Sequence, residues 1–138
     1  MPAKRRPDPA AVAYRTSLPM PYFPHDADAA QDVKCKRLLH RLGFEGYGRW
    51  WYLCELLAGG TGHEIDFSDA EDAEILASDL GMGSAGELAD FVATLSDVGL
   101  LDPGAASEGK IRSPRMDRNA ENLGYKRAAG ALGGRPRK

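Results

Sequence analysis

Only Met82 and Gly83 separate a helix stop, Gly81, from a helix cap, Ser84. Before the stop, Ala73, Leu76, Ala77 and Leu80 recur at helical spacing. After the cap, Leu88, Phe91, Val92 and Leu95 do the same, and Gly99 closes the second stripe. Ser68 with Glu71 and Ser84 with Glu87 read as capping boxes at the two helix starts. Two amphipathic helices joined so tightly must turn sharply and bury their stripes against a common core. That is a helix-turn-helix.

The flanking segments extend this frame. Cys35, Leu38, Leu39 and Leu42 form one apolar helical stripe, which Gly43 ends. Gly46-Tyr47-Gly48 reads as a short break, and Trp50, Leu53, Cys54 and Leu57 repeat the stripe up to Gly59-Gly60. His63–Phe67 alternates like a short strand. Leu100–Asp102 and Lys110–Ser113 read as paired strands around a turn-rich loop, Pro103–Gly109. Ser113-Pro114 opens a weaker helix carrying Met116, Ala120 and Leu123. From Tyr47 to Ser113 this is the order of a winged helix-turn-helix with Pro103–Gly109 as the wing. The expected class is mainly α: a winged helix-turn-helix with additional helices and a small β-wing.

The 138 residues suit one domain. It divides into a Pro-rich irregular arm (1–21, five prolines), the winged domain (22–113), a C-terminal helix (114–127) and a flexible basic tail (128–138). No internal repeat is present. No apolar run approaches the ~20 residues a membrane-spanning helix needs. Lys4-Arg5-Arg6 is followed by Pro7-Asp8-Pro9 rather than a secretory apolar region. Cys35 and Cys54, nineteen apart, fit neither a zinc ribbon nor a redox pair and fall at apolar helical positions. They read as buried free thiols in a cytoplasmic protein.

Catalytic and cofactor patterns are weak. Gly81–Gly86 matches G-x-G-x-x-G, but a dinucleotide fingerprint needs a strand before it, and here a helix precedes. His25, Asp26 and Asp28 could ligate a hard ion, yet no second histidine or cysteine lies nearby. Helix capping and local packing explain them better. His40 and His63 stand alone, and no serine or cysteine has a recognisable base. A non-enzyme without metal or cofactor is expected.

Charge is sharply segregated. Residues 50–109 contain no Lys or Arg and thirteen acids, whereas 34–49 are net +4 and 110–138 net +7. The second helix of the pair, Ser84–Val98, offers Glu87, Asp90 and Asp97 and no cation. Duplex DNA carries about one charge per 1.7 Å, so that helix should be repelled from it. Glu87 and Asp90 are read instead as protein contacts. Trp51 joins them as an exposed stacking or interface residue, while Trp50, Phe44 and Tyr47 are placed in the core. DNA contact, without sequence preference, is assigned to Lys34, Lys36, Arg37 and Arg41, with Arg49 in the same patch. A second patch holds Lys110, Arg112, Arg115, Arg118, Lys126, Arg127, Arg135, Arg137 and Lys138. A purely solubilising tail is the plainer alternative. The opposed charges also suit self-assembly, so a homo-oligomer is expected.

Tyr22-Phe23-Pro24-His25-Asp26, then Leu42-Gly43-Phe44-Glu45-Gly46-Tyr47-Gly48 with Trp51, then Glu74-Ile75-Leu76-Ala77 ending in Leu80-Gly81, and later Val98-Gly99-Leu100 resemble a Lin-type N-terminal domain of unknown function. That family occurs in phage and prophage proteins and is similar to the N-terminal winged helix of DnaD-type replication-initiation proteins. The resemblance covers about residues 20–128. It implies a role in phage or mobile-element DNA replication and supplies no catalytic residues. The closing Gly-Gly-Arg-Pro-Arg-Lys is similar to the basic linker that precedes a further segment in longer members, so a second module outside this chain is an expectation. The leading expectation is a non-enzymatic replication-initiation or accessory scaffold that binds replication proteins or itself. A sequence-specific transcriptional regulator is the alternative.

Overall fold

A computed structural model describes residues 5–133. It holds, in order, α1 (Pro9–Ser17), α2 (Val33–Gly59), β1 (Ile65–Asp66), α3 (Ala70–Asp79), α4 (Ala85–Asp97), α5 (Pro103–Ser107), β2 (Lys110–Ile111) and α6 (Pro114–Gly133). Short 3-10 turns occur at Ala29–Gln31 and Thr61–His63. The protein is mainly helical with one small two-stranded sheet.

The apolar stripes converge as their spacing predicts. Leu38, Trp50, Leu53, Cys54 and Leu57 of α2 share one core with Ala73, Leu76 and Ala77 of α3. Leu88, Phe91, Val92 and Leu95 of α4, Ile111 of β2, and Met116 and Ala120 of α6 complete it. The turn between α3 and α4 is as tight as expected. Gly81 takes φ 72, and the Met82 N–H reaches back to the Ala77 carbonyl at 2.8 Å, while Met82 itself is buried beneath the turn. Ser84 caps α4, its Oγ accepting from the Glu87 N–H at 3.2 Å, and Glu87 Oε2 accepts from the Gly83 N–H at 3.2 Å. The cap of α3 is Asp69 rather than Ser68. Asp69 Oδ2 accepts from the Asp72 N–H, while Ser68 donates to Asp66 Oδ1 from both its N–H and its hydroxyl.

Four expectations need correction. First, α2 is not divided at Gly46–Gly48. Its single non-helical residue is Gly43, at φ 68 and ψ −166. Gly46 is helical and buried, where a Cβ would collide with the Leu42 side chain, so this glycine serves close packing rather than a break. Leu42 and Phe44, on either side of the kink, are turned outward, and Phe44 is 84% exposed rather than core.

Second, the wing loop is helical. Asp102 caps the Gly104 N–H and Pro103 occupies the first turn of α5, where its missing N–H costs nothing. β2 pairs antiparallel with β1, Ile65 opposite Ile111 and Asp66 opposite Lys110, instead of with Leu100–Asp102. That segment retains one ladder-like bond, from the Asp102 N–H to the Arg112 carbonyl at 2.9 Å.

Third, the Pro-rich arm is not irregular throughout. Pro9 starts α1 at a position where proline is favoured, and the helix packs along α6. Met20 then inserts into the core, its N–H bonded to the Ala58 carbonyl at 2.8 Å. His63, buried and at φ 53, ties this arm to α2. Its Nδ1 lies 2.9 Å from the Leu57 carbonyl and its Nε2 3.0 Å from the Thr16 carbonyl.

Fourth, α6 continues to Gly133, through residues expected to be flexible, and Ala128 is buried.

Candidate interaction surfaces

The YFPHD segment and the start of α6 enclose a cleft of about 410 Å³, lined among others by Phe23, Asp32, Lys34, Trp51, Arg115 and Arg118. Trp51 is the hub of its aromatic wall. His25 stacks on it with centroids 3.5 Å apart, Phe23 lies parallel at 6.2 Å, and Tyr47 meets it edge-on at 6.1 Å. The indole N–H is buried without an acceptor among the described residues. Trp51 is therefore less free as a stacking platform than its sequence position suggests, since His25 already covers one ring face. His25 and Asp26 have these local duties, Asp26 forming an ion pair with Arg115. Among the described residues, no three His, Cys, Asp or Glu side chains are grouped to hold a metal ion.

Cys35 and Cys54 also line the cleft, and both are free and buried. Burial pushes both thiols up, Cys54 the more strongly, with Asp32 adding to the effect at Cys35 and Cys35 to that at Cys54. Thiols held protonated in this way behave as apolar packing groups rather than nucleophiles.

The predicted DNA-contact residues separate into two sets. Several fasten the fold. Arg41 of α2 pairs with Asp97 of α4. Arg112 donates to both oxygens of Asp117, at 3.3 and 3.0 Å, and reaches Glu64 at 3.5 Å. Arg115 holds Asp26, and Arg127 lies 3.5 Å from the Pro19 carbonyl. Arg49 caps α3 by donating to the Leu80 and Gly81 carbonyls at 2.8 and 3.0 Å, and it pairs with Glu45 at 2.8 Å. Lys36, Arg37, Arg118 and Lys126 are exposed and form no ion pair among the described residues. Lys110 is half-buried in β2. Arg135, Arg137 and Lys138 lie outside the described residues. Lys34 of the first patch meets Arg115 and Arg118 of the second at the cleft, where Asp26, Asp28 and Asp32 balance them. Nothing in the sequence marks the Arg41–Asp97 and Arg115–Asp26 pairs, because their members lie 56 and 89 residues apart along the chain.

The outward face of α4 carries Glu87, Ala89, Asp90, Ala93 and Asp97 and no cation. Beside it lies a shallow groove of about 310 Å³, lined by Leu42, Glu45, Met82, Glu87, Asp90 and Phe91 among others. The Cys35–Leu42 stripe reads Leu42 inward as its last member, and Phe44 is expected in the core just after the Gly43 helix end; the structure exposes both.

The arrangement defines a small helical domain built on a tight α3–α4 pair, with accessory helices at both ends. A family model described as Lin1244/Lin1753-like, N-terminal, matches residues 22–113, and the chain belongs to that family. Neither a curated protein nor a solved structure matches it. Helices α1 and α6 lie outside the matched residues. Among the described residues, no helix is long and apolar enough to cross a membrane.

Proposed function

We propose that this chain is a non-enzymatic winged-helix scaffold of the cytoplasm, a replication-initiation or accessory protein of a phage or mobile element. It contacts nucleic acid without sequence preference through Lys36 and Arg37 of α2 and Arg118 and Lys126 of α6. It contacts protein, replication partners or further copies of itself, through α4. The observation that carries this reading is the outward face of α4, which has three carboxylates and no cation. The helix that enters the major groove in a sequence reader here offers carboxylates and no cation to phosphate. The tight α3–α4 turn, the β1–β2 pair and the Asp102–Arg112 backbone bond support the winged-helix part. The replication part rests on the family's similarity to DnaD-type domains.

A gel shift on random duplex and single-stranded DNA at two salt concentrations tests the nucleic-acid part. Binding should weaken steeply with salt. The double substitution Lys36→Glu, Arg37→Glu should flatten that dependence, by about 0.9 in log–log slope for each phosphate that is no longer neutralised. Tight binding to one palindromic sequence, abolished on changing α4, would replace this reading with a transcriptional regulator.

A further inference from the structure

Among the described residues, His63 is the one residue other than glycine at a positive φ, 53. It is 2% exposed. Both ring nitrogens meet carbonyl oxygens: Nδ1 lies 2.9 Å from that of Leu57 and Nε2 3.0 Å from that of Thr16. Leu57 stands in the last turn of α2 and Thr16 in the last turn of α1. The negative ends of two helices therefore converge on one imidazole.

A neutral imidazole carries one N–H and one lone pair. Between two carbonyls it donates to one and turns its lone pair on the other. The Leu57 carbonyl has a second donor, the Gly60 N–H at 3.3 Å. The Thr16 carbonyl has none among the described residues. Pro19, three residues on, has no N–H, and the Met20 N–H is spent on the Ala58 carbonyl. Only the imidazolium, with two N–H groups, satisfies both contacts. Burial opposes that charge, whereas the two carbonyls and the two helix ends favour it. The charged side chains nearby add to the favourable side. Arg112, Asp117 and Glu121 line a cleft with His63, and Glu64 follows it in the chain. Arg112 is paired with Asp117 and Glu64, and Glu121 forms no ion pair among the described residues. Helix α1 brings one cation, Arg15, and the last turn of α2 brings no charge. Three carboxylates thus face two guanidinium groups.

We infer that His63 is a proton-dependent latch on α1. As the imidazolium it joins the end of α1 to the end of α2. As the neutral ring it gives up one of the two carbonyls, and α1 loosens from α6. The docked helix gains a hydrogen bond when the proton is present. Docking therefore strengthens as pH falls through the histidine range and weakens as pH rises through it. Helix α1 lies outside the family-matched residues and covers Gly124 of α6, where the two backbones nearly touch. The latch governs access to that face of α6 and leaves the α3–α4 pair in place. It is independent of the nucleic-acid and α4 readings.

Amide hydrogen exchange of the full chain at about pH 5.5 and about pH 7.5, on either side of the histidine range, tests the latch once intrinsic exchange rates are divided out. Protection of α1 should fall by about tenfold at the higher pH, while that of α4 stays level. Nitrogen NMR of the parent at the lower pH should show a proton on both ring nitrogens of His63. The variant His63→Gln offers a donor on one side only and does not titrate. Its α1 should be less protected than the parent's at the lower pH and insensitive to pH. The two parent measurements decide the matter even if that variant fails to fold. Equal protection of α1 at both pH values, a loss shared by α4, or a neutral His63 ring at the lower pH with α1 docked would overturn the inference.

Discussion

Gly124 of α6 lies so close to Thr16 of α1 that a Cβ built on the glycine would stand 2.7 Å from both the Thr16 Cα and its backbone nitrogen. Backbone cannot yield as a flexible side-chain tip can. Gly124→Ala should therefore push α1 away from α6, at a cost of roughly 1–3 kcal/mol. Chemical denaturation measures the loss, and faster proteolytic cleavage between residues 9 and 21 would show that α1 is what detaches. Unchanged stability would mean that the two helices slide apart without penalty.

Gly43 offers a cleaner measurement of backbone strain. Nothing lies within 4 Å of where its Cβ would be, so a side chain there meets no clash. The φ of 68 with ψ −166 alone opposes substitution. Gly43→Ala should cost about 1–3 kcal/mol. If α2 straightens to relieve the strain, Phe44 should turn inward, and its quenching by added acrylamide, followed in a Trp-free Phe44→Trp variant, should fall.

Arg49 joins α2 to the end of α3. Its guanidinium satisfies the Leu80 and Gly81 carbonyls just where the chain turns toward α4. Arg49→Ala leaves those carbonyls to water and should destabilise by about 1–3 kcal/mol. Arg49→Lys should recover only part, since an ammonium cannot reproduce the planar fork that spans both oxygens. Thermal melts of the pair decide this.

Burial, then the neighbouring Cys35 and Glu55, raise the Cys54 thiol above its ordinary value. In the unfolded chain the thiol ionises near pH 8.5. The folded state therefore holds a proton that the unfolded state has lost. The stabilisation is complete below that pH and declines as pH rises above it. Denaturant titrations from pH 7 to pH 10 should show falling stability, with a shallower fall in Cys54→Ala. Alkylation of native protein should be slow and become fast on unfolding.

Periodicity located the two helices around Met82 and the core stripes from Cys35 to Leu95, because apolar spacing records which side chains must leave water. Two helical segments escaped it for physical reasons. Helix α1 packs Thr16 against Gly124, a close approach of small groups that leaves little hydrophobic signal. Helix α5 forms on an Asp102-Pro103 start that reads equally well as a turn. The candidate surfaces were legible as charge, in the cation-free stretch 50–109, and illegible as partnerships.

Residue order by itself determined that α3 and α4 form a tight pair, that α4 is acidic, and that Cys35 and Cys54 are buried. Each follows from local spacing, capping and charge, which act over a few residues. Only the tertiary structure decided that Arg41 and Arg115 spend their charge on Asp97 and Asp26. It also decided that β2 pairs with β1 and that Phe44 faces solvent. Those outcomes depend on which distant segments the closed core brings within bonding distance, and, for Phe44, on the direction in which the chain resumes its helix after Gly43.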